Sequence, residues 1–262
     1  KAGFTDLRFS EGMPRWVCLA RKPSAEASVK LARFVRLPVS AVRGANELVR
    51  LMMNPAEVER VFAFADIVVG ERGTEEFAKE IGKLADGPRF LAARRRMPKT
   101  SIEEFETLPA GSLGFEFARF LRENKLDPKT LPVKSAETDG QYVRARIYET
   151  HDIHHVVTGF STQPIGEAGV LAFYLAQLPA RVASMIVGAA FLRVGFASDA
   201  ARVPFARSIE LGLRLGRTMK PIVLFPFEDH WETPVGDVQK MLGIDPAIYE
   251  EIRTHARGDF TV

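Results

Sequence analysis

The sequence predicts an all-α protein: a single helical domain over residues 1–262, with little or no sheet and a metal site between two consecutive helices. Three observations carry that expectation. Most long segments place apolar residues three and four apart rather than in alternation. Ser, Asn and Pro stand where the periodic segments begin, and Gly or Pro where they stop. Alternating strand and helix signals, the mark of a doubly wound sheet, are missing.

In chain order, residues 1 to about 23 lack helical periodicity and are expected to form a loosely ordered extension. Ser24 to Arg36 (SAEASVKLARFVR) reads as an amphipathic helix capped by Ser24 and stopped by Pro38. Asn54-Pro55 opens another, with Asn as cap and Pro at the first helical position. Thr74 to Leu84 follows with an acidic first turn, and Asp86-Gly87-Pro88 ends it. From Ser101 come SIEEFETL and then LPAGSLGFEFARFLREN, two helical starts separated by a break. Tyr142 to Gly159 reads as one long helix closed by its glycine, and a second long apolar helix starts near Glu167. Arg202 to Thr218, Asp237 to Leu242 and Ala247 to His255 complete the helical set. The strongest strand candidate is Pro221 to Phe227 (PIVLFPF), although the internal Pro226 argues against a central strand.

Composition narrows the function classes. With 36 basic against 33 acidic residues the net charge of +3 is too weak for a nucleic-acid binder. The only dense basic run, Arg94-Arg95-Arg96, reads as a solvated loop or an edge that touches anionic lipid headgroups. Cys18 is the sole cysteine, which excludes an internal disulfide and fits a reducing compartment. The N-terminus carries no apolar signal-like stretch. Pro179, Arg181 and Arg193 interrupt the most apolar region, which is too broken to span a bilayer. Nineteen phenylalanines lean towards a large interior or an apolar ligand cavity.

The chemistry sits in one cluster. Three of the five histidines fall at 151, 154 and 155. Helical residues advance about 100° each, so His151 and His155 stand about 40° apart on one face, with Asp152 about 60° beyond His155. His154 lies to the other side and is the poorest donor of the group. Glu167 opens the next apolar helix, where a carboxylate has little reason to turn inward unless something charged awaits it. Gly159, Pro164 and Gly166 in between suit a helix end and a tight return. His151, Asp152, His155 and Glu167 thus form a candidate two-nitrogen, two-oxygen shell for Zn²⁺, and the donor types also accept Fe²⁺ or Mn²⁺. Against this stands the plain alternative of a polar helix face with a favourable charge at a helix N-terminus.

The segment YVRARIYETHDIHHVVTGFSTQPIGE, from Tyr142 to Glu167, resembles the signature of the Coq4 family of ubiquinone-biosynthesis proteins. That signature runs His-Asp, two residues, His, eleven residues, Glu, and falls on His151, Asp152, His155 and Glu167 without a gap. NPAEVERVFAFAD near Asn54, LPAGSLGFEFARFLRENKLDP from Leu108 and WETPVGDVQKMLGID from Trp231 are similar to the family too, in the same order. The resemblance implies a helical fold, zinc at the four matching positions and peripheral attachment to a membrane surface. It implies (oxidative) decarboxylation at ring C1 of a polyprenylated 4-hydroxybenzoate intermediate. A cytoplasmic place at the inner membrane, or the matrix side of the mitochondrial inner membrane in a eukaryote, goes with it. Other quinone-biosynthesis proteins and a second copy of the chain are the expected protein partners.

On that reading Glu149 or Tyr142 orients a ligating histidine through its second nitrogen, and Arg146 meets an anionic head group. The apolar helix after Glu167 walls a tunnel for the polyprenyl tail, lined by Phe173, Gly188, Ala189 and Phe191. The chief rival is a non-catalytic lipid carrier or scaffold whose metal only staples two helices. An HD-type phosphohydrolase needs a histidine well upstream, and none precedes His151. A ferritin-like di-iron site needs a second histidine cluster, and a serine hydrolase needs GxSxG; both are lacking.

Overall fold

A computed structural model of the chain describes residues 5–9, 18–21, 70, 73–127, 136–177, 181–195 and 199–256. The chain divides into two compact units, Lys1–Ala45 and Asn46–Val262. The expected helices at Ser24 to Arg36 and after Asn54 lie outside the described residues.

In the first unit the described residues form an antiparallel ribbon of β1 (Thr5–Phe9) and β2 (Cys18–Arg21), in the register Leu7↔Ala20, Arg8↔Leu19, Phe9↔Cys18. The expectation of a loosely ordered extension over residues 1 to about 23 falls mostly outside the described residues. Two such short strands have too few residues to show the alternation that betrays longer ones.

Among the described residues of the second unit the regular elements are α-helices and 3-10 turns, with one isolated bridge between Ser112 and Pro234. It contains α1 (73–82), α2 (Gly87–Ala93), α3 (Ile102–Glu106), α4 (Leu113–Glu123) and α5 (Asp139–Thr158). After these come α6 (Pro164–Gln177), α7 (Arg181–Gly195), α8 (Asp199–Thr218), α9 (Val235–Leu242) and α10 (Pro246–Ala256). The all-α expectation holds, with the N-terminal ribbon as the little sheet it allowed.

Local chemistry explains the boundaries. Ser101 and Glu104 form a capping box at α3, and Thr138 with Gln141 forms another at α5, each satisfying two backbone N–H groups that a bare helix start leaves orphaned. Gly159 ends α5 in the left-handed region at φ +81°, where a side chain would also meet the Tyr249 ring. Asp86-Gly87-Pro88 does not merely stop α1; it starts α2, because Pro88 is well placed in a first turn. The strand expected at Pro221 to Phe227 is instead two 3-10 turns, Ile222–Leu224 and Phe227–Asp229. Pro221 and Pro226 each fix φ and withhold an N–H, which overrides the β-branched run between them. The long apolar helix after Glu167 is two helices, α6 and α7.

α5 runs through the main core, burying Tyr142, Val143, Ile153 and Val157. α6 and α8 pack most closely. A Cβ at Gly212 would stand 2.2 Å from the Gly169 carbonyl oxygen, so the two backbones touch without side chains between them. Ser208 Oγ donates to the Ile165 carbonyl at 2.7 Å across the same contact. Among the described residues no helix is long and apolar enough to cross a membrane.

Candidate metal centre

The end of α5 and the start of α6 converge on a three-donor cluster. His151 Nε2 lies 3.2 Å from His155 Nε2, and Glu167 places one oxygen 3.5 Å from His151 and the other 3.3 Å from His155. His155 is buried, His151 is partly exposed, and the Glu167 side chain is 36% exposed, so the cluster has one open side. A tetrahedral ion with donors at about 2.0–2.1 Å spaces them by about 3.3 Å. The residues present therefore fit a divalent ion. Three of the four candidate donors converge here.

Two features aim the imidazoles. His155 Nδ1 faces the Phe160 carbonyl at 3.1 Å, which accepts its proton and leaves Nε2 bare for a ligand. Phe160 reaches that position because Gly159 turns the chain sharply at the end of α5. His151 Nδ1 faces the Tyr174 hydroxyl at 3.1 Å. Tyr174 lies two turns along α6 from Glu167, so both point to the same side of that helix.

The charges are strongly coupled. Burial pushes the Glu167 carboxyl up, but the His155 and His151 imidazoles more than reverse this and hold it well below the usual carboxylate range. Burial disfavours charge on His151, yet the Glu167 hydrogen bond and the nearby carboxylates of Glu167 and Asp152 carry its pKa above the ordinary value. This is a site organised for positive charge.

Asp152 is not among the three converging donors. It stands one residue, and so about 100°, around the helix from His151. Its half-buried carboxyl is pushed up by burial against the pull of His151 and His155, so it belongs to the same electrostatic neighbourhood. His154, the poorest donor on angle, is 0% exposed and directs Nδ1 at Tyr174 instead.

Tyr142 and Glu149, expected to orient a ligand, and Arg146, expected to meet an anionic head group, are engaged elsewhere. Tyr142 donates to the Arg95 carbonyl at 3.1 Å, Arg146 pairs with Glu228, and Glu149 pairs with Arg96 and accepts from Met97 N at 3.2 Å. Tyr142 and Arg146 sit more than one turn before His151 on α5, and Glu149, two residues before it, lies about 200° around the helix from it, on the opposite side. Tyr174 and the Phe160 carbonyl take the role instead. The sequence signal for Tyr174 was its seven-residue spacing from Glu167.

The basic run is not a free edge either. Arg94 bonds Asp139 at 2.6 Å, Arg95 forks onto Asp229 at 2.6 Å through each nitrogen, and Arg96 meets Glu149. All three guanidiniums tie the segment after α2 to α5 and the 3-10 turns. The four expected tail-lining residues do not share one wall. Phe173 is buried in the main core and Ala189 is 5% exposed, whereas Gly188 has open space beside it and Phe191 is 47% exposed. A cleft of about 510 Å³ does open beside the cluster, with His155 in its lining together with Phe120, Asn124, Thr162, Gln239 and Arg253.

The sequence profile of the family described as coenzyme Q (ubiquinone) biosynthesis protein Coq4 matches residues 26–247. The chain belongs to the Coq4 family. It is 31% identical over 173 residues to the mitochondrial ubiquinone biosynthesis protein COQ4 homolog of Rattus norvegicus, covering 64% of each chain. This family member thus spans about 64% of the length of the rat relative it matches. The corresponding human protein is 27% identical over 199 residues, 74% of this chain and 73% of its own length. That of Drosophila ananassae is 25% identical over 220 residues, 82% of this chain and 80% of its own. A crystal structure from Nostoc punctiforme, described as that of a candidate ubiquinone biosynthesis protein, superposes with a TM-score of 0.67 at 24% identity. It covers 77% of this Coq4-family chain and 97% of the other, which establishes the shared fold.

Proposed function

We propose that this Coq4-family chain holds one divalent cation through His151, His155 and Glu167, with Asp152 as the fourth donor. We further propose that it removes the ring carboxylate of a polyprenylated 4-hydroxybenzoate intermediate of ubiquinone biosynthesis. The observation that carries the reading is the spacing of the three donor atoms, 3.2 to 3.5 Å apart on two helices that the chain folds back to bring together. Zn²⁺ suits the donors best, and Fe²⁺ or Mn²⁺ is compatible with them.

The cation, when bound, supplies a Lewis-acidic charge beside the substrate's carboxylate or phenolic oxygen. The chain's own groups do the rest. His151 and His155 present bare Nε2 atoms, and the Phe160 carbonyl keeps the His155 proton on Nδ1. Glu167, held ionised by its neighbours, keeps the centre charged at neutral pH. The cleft beside His155 admits the polar ring, with Asn124, Gln239 and Arg253 among the groups that can meet its oxygens. The ring carbon bearing the carboxylate gains a proton as that carboxylate leaves as CO₂, and the para phenol stabilises the protonated ring. The polyprenyl tail is assigned to the open face of α7 around Gly188 and Phe191. The mitochondrial names of the rat, human and fly relatives support a place in that organelle if the source is eukaryotic, at a membrane surface where such a lipid resides.

The test is release of labelled CO₂ from a carboxyl-labelled prenylated 4-hydroxybenzoate by the metal-loaded protein. Release abolished by chelator and restored by Zn²⁺, Fe²⁺ or Mn²⁺ is the expected result. Tight binding of the prenylated phenol with one metal per chain and no CO₂ would overturn the catalytic reading in favour of a lipid carrier with a structural ion.

A further inference from the structure

A buried tyrosine joins the candidate metal ligand His151 to a histidine that ligates nothing. Tyr174 is 7% exposed, and its hydroxyl lies 3.1 Å from His151 Nδ1 and 2.6 Å from His154 Nδ1. His154 is 0% exposed, and its Nε2 has no hydrogen-bond partner. One hydroxyl proton therefore serves two ring nitrogens, and its direction decides the tautomer of both rings.

The two distances differ in a telling way. A contact of 2.6 Å lies in the range of an O–H donor, while 3.1 Å lies in the range of a ring N–H donor. The arrangement that fits both has the Tyr174 O–H donating to His154 Nδ1 and the His151 Nδ1–H donating to the Tyr174 oxygen. Reversing the chain puts the His151 proton on Nε2, the atom that faces Glu167 and His155, and blocks it as a ligand.

We infer that Tyr174 is a positioning residue for the metal centre: braced by His154, it holds the His151 proton on Nδ1 and so keeps Nε2 open for the ion. His154 is the brace because its sealed ring offers the hydroxyl an acceptor that cannot exchange with water. It keeps its own proton on Nε2, which has no hydrogen-bond partner in a ring whose centroid is 5.8 Å from that of Phe227. His155 needs no such device, because a fixed backbone carbonyl does the same for it. Each ligating imidazole thus has its own acceptor for the Nδ1 proton, one from the main chain and one from a side chain.

The inference rests on the proposed binding of a cation by His151, and the experiment separates the two. Zn²⁺ affinity is measured by competition with a chromophoric chelator for the parent, Tyr174→Phe and His154→Phe. Histidine tautomers are read by nitrogen-15 NMR in the metal-loaded parent and, without added metal, in all three proteins. Tyr174→Phe is expected to bind Zn²⁺ about 10- to 100-fold more weakly, the usual effect of removing an outer hydrogen-bond partner. Its His151 should lose the preference for Nδ1–H, a change that mere loosening of packing would not produce. His154→Phe should retain the hydroxyl and show a smaller loss in the same direction. Failure of the parent to bind Zn²⁺ overturns the metal reading, and this inference with it. A parent that binds Zn²⁺ beside a Tyr174→Phe protein of equal affinity and unchanged tautomer overturns this inference alone. Should Tyr174→Phe fail to fold, the parent's spectrum decides: His151 ligating through Nδ1 would refute it.

Discussion

Arg146 Nη2 meets Glu228 Oε2 at 2.5 Å with only 2% and 7% of the two side chains exposed. The guanidinium also donates to the Phe225 carbonyl at 3.0 Å, so α5 grips the two 3-10 turns from inside. Arg95 reaches the other oxygen of Glu228 at 3.2 Å from the surface side. Removing one partner of a buried pair leaves the other charge uncompensated, which typically costs about 3–5 kcal/mol.

The two halves of this pair are predicted to be unequal. Glu228→Leu strands Arg146 and should destabilise the protein by about 3–5 kcal/mol in urea unfolding. Arg146→Met leaves Glu228 with Arg95 and should lose clearly less. Equal losses for the two substitutions would show that Arg95 does not share the carboxylate.

At the metal centre, His155→Ala and Glu167→Ala should each abolish stoichiometric Zn²⁺ binding, while His154→Ala should still bind at least weakly. Elemental analysis after dialysis against a weak buffer of free Zn²⁺ reads this directly. Full metal content in Glu167→Ala would remove that residue from the shell. Asp152→Ala tests the fourth position, where the geometry predicts the smallest loss of the four candidate ligands.

Two glycines should respond in opposite senses. Gly212→Ala drives a methyl into the Gly169 carbonyl, backbone that cannot step aside, and should cost about 1–3 kcal/mol. Gly188→Ala meets open space within a helix and should stabilise by about 0.5–1 kcal/mol. Thermal melts of the pair, with the parent beside them, give the sign of each.

Acid should weaken the strap at Asp229. The side-chain hydrogen bond and charge of Arg95 hold this carboxyl below its ordinary value. A carboxyl whose folded pKa is depressed contributes stability above its unfolded pKa of about 3.9 and loses it as pH falls through the folded value. Asp229→Asn should therefore be less stable than the parent near pH 7, with the gap closing below about pH 4. Because both partners are about half exposed, the gap at neutral pH should be no more than about 1 kcal/mol.

Helix starts and stops were legible because their causes are local. Ser101 with Glu104 and Gly159 act within three or four residues, and sequence reading reaches that far, although the Thr138–Gln141 box went unread and α5 begins at Asp139 rather than Tyr142. The cluster itself was legible for the same reason: His151 and His155 share a helical face, and Glu167 follows one turn-rich corner later. Partners separated by long stretches of chain were not. Arg96 meets Glu149 53 residues away, and Arg95 meets Asp229 134 residues away, so a run read as solvated is instead paired. Proximity to the motif suggested Tyr142 or Glu149 as its supports, but Tyr142 lies more than two turns away along the helix and Glu149 points to the opposite side, where each has another partner. The supporting Tyr174 came from the facing helix.

The corner between α5 and α6 is held by the protein's own bonds. Gly159 sets the bend, the Phe160 carbonyl docks on His155, Thr162 Oγ1 donates to Asn124 at 2.6 Å, and Ser208 anchors Ile165. None of these contacts requires an ion. Loading is therefore expected to resemble filling a preformed socket rather than folding around a nucleus, as a zinc finger must. If the proposed cation binds there, such a protein can be synthesised in a metal-poor compartment, persist empty, and take up the ion late from an exchangeable pool. Its working state would then track the supply of metal in the compartment, not the history of its folding.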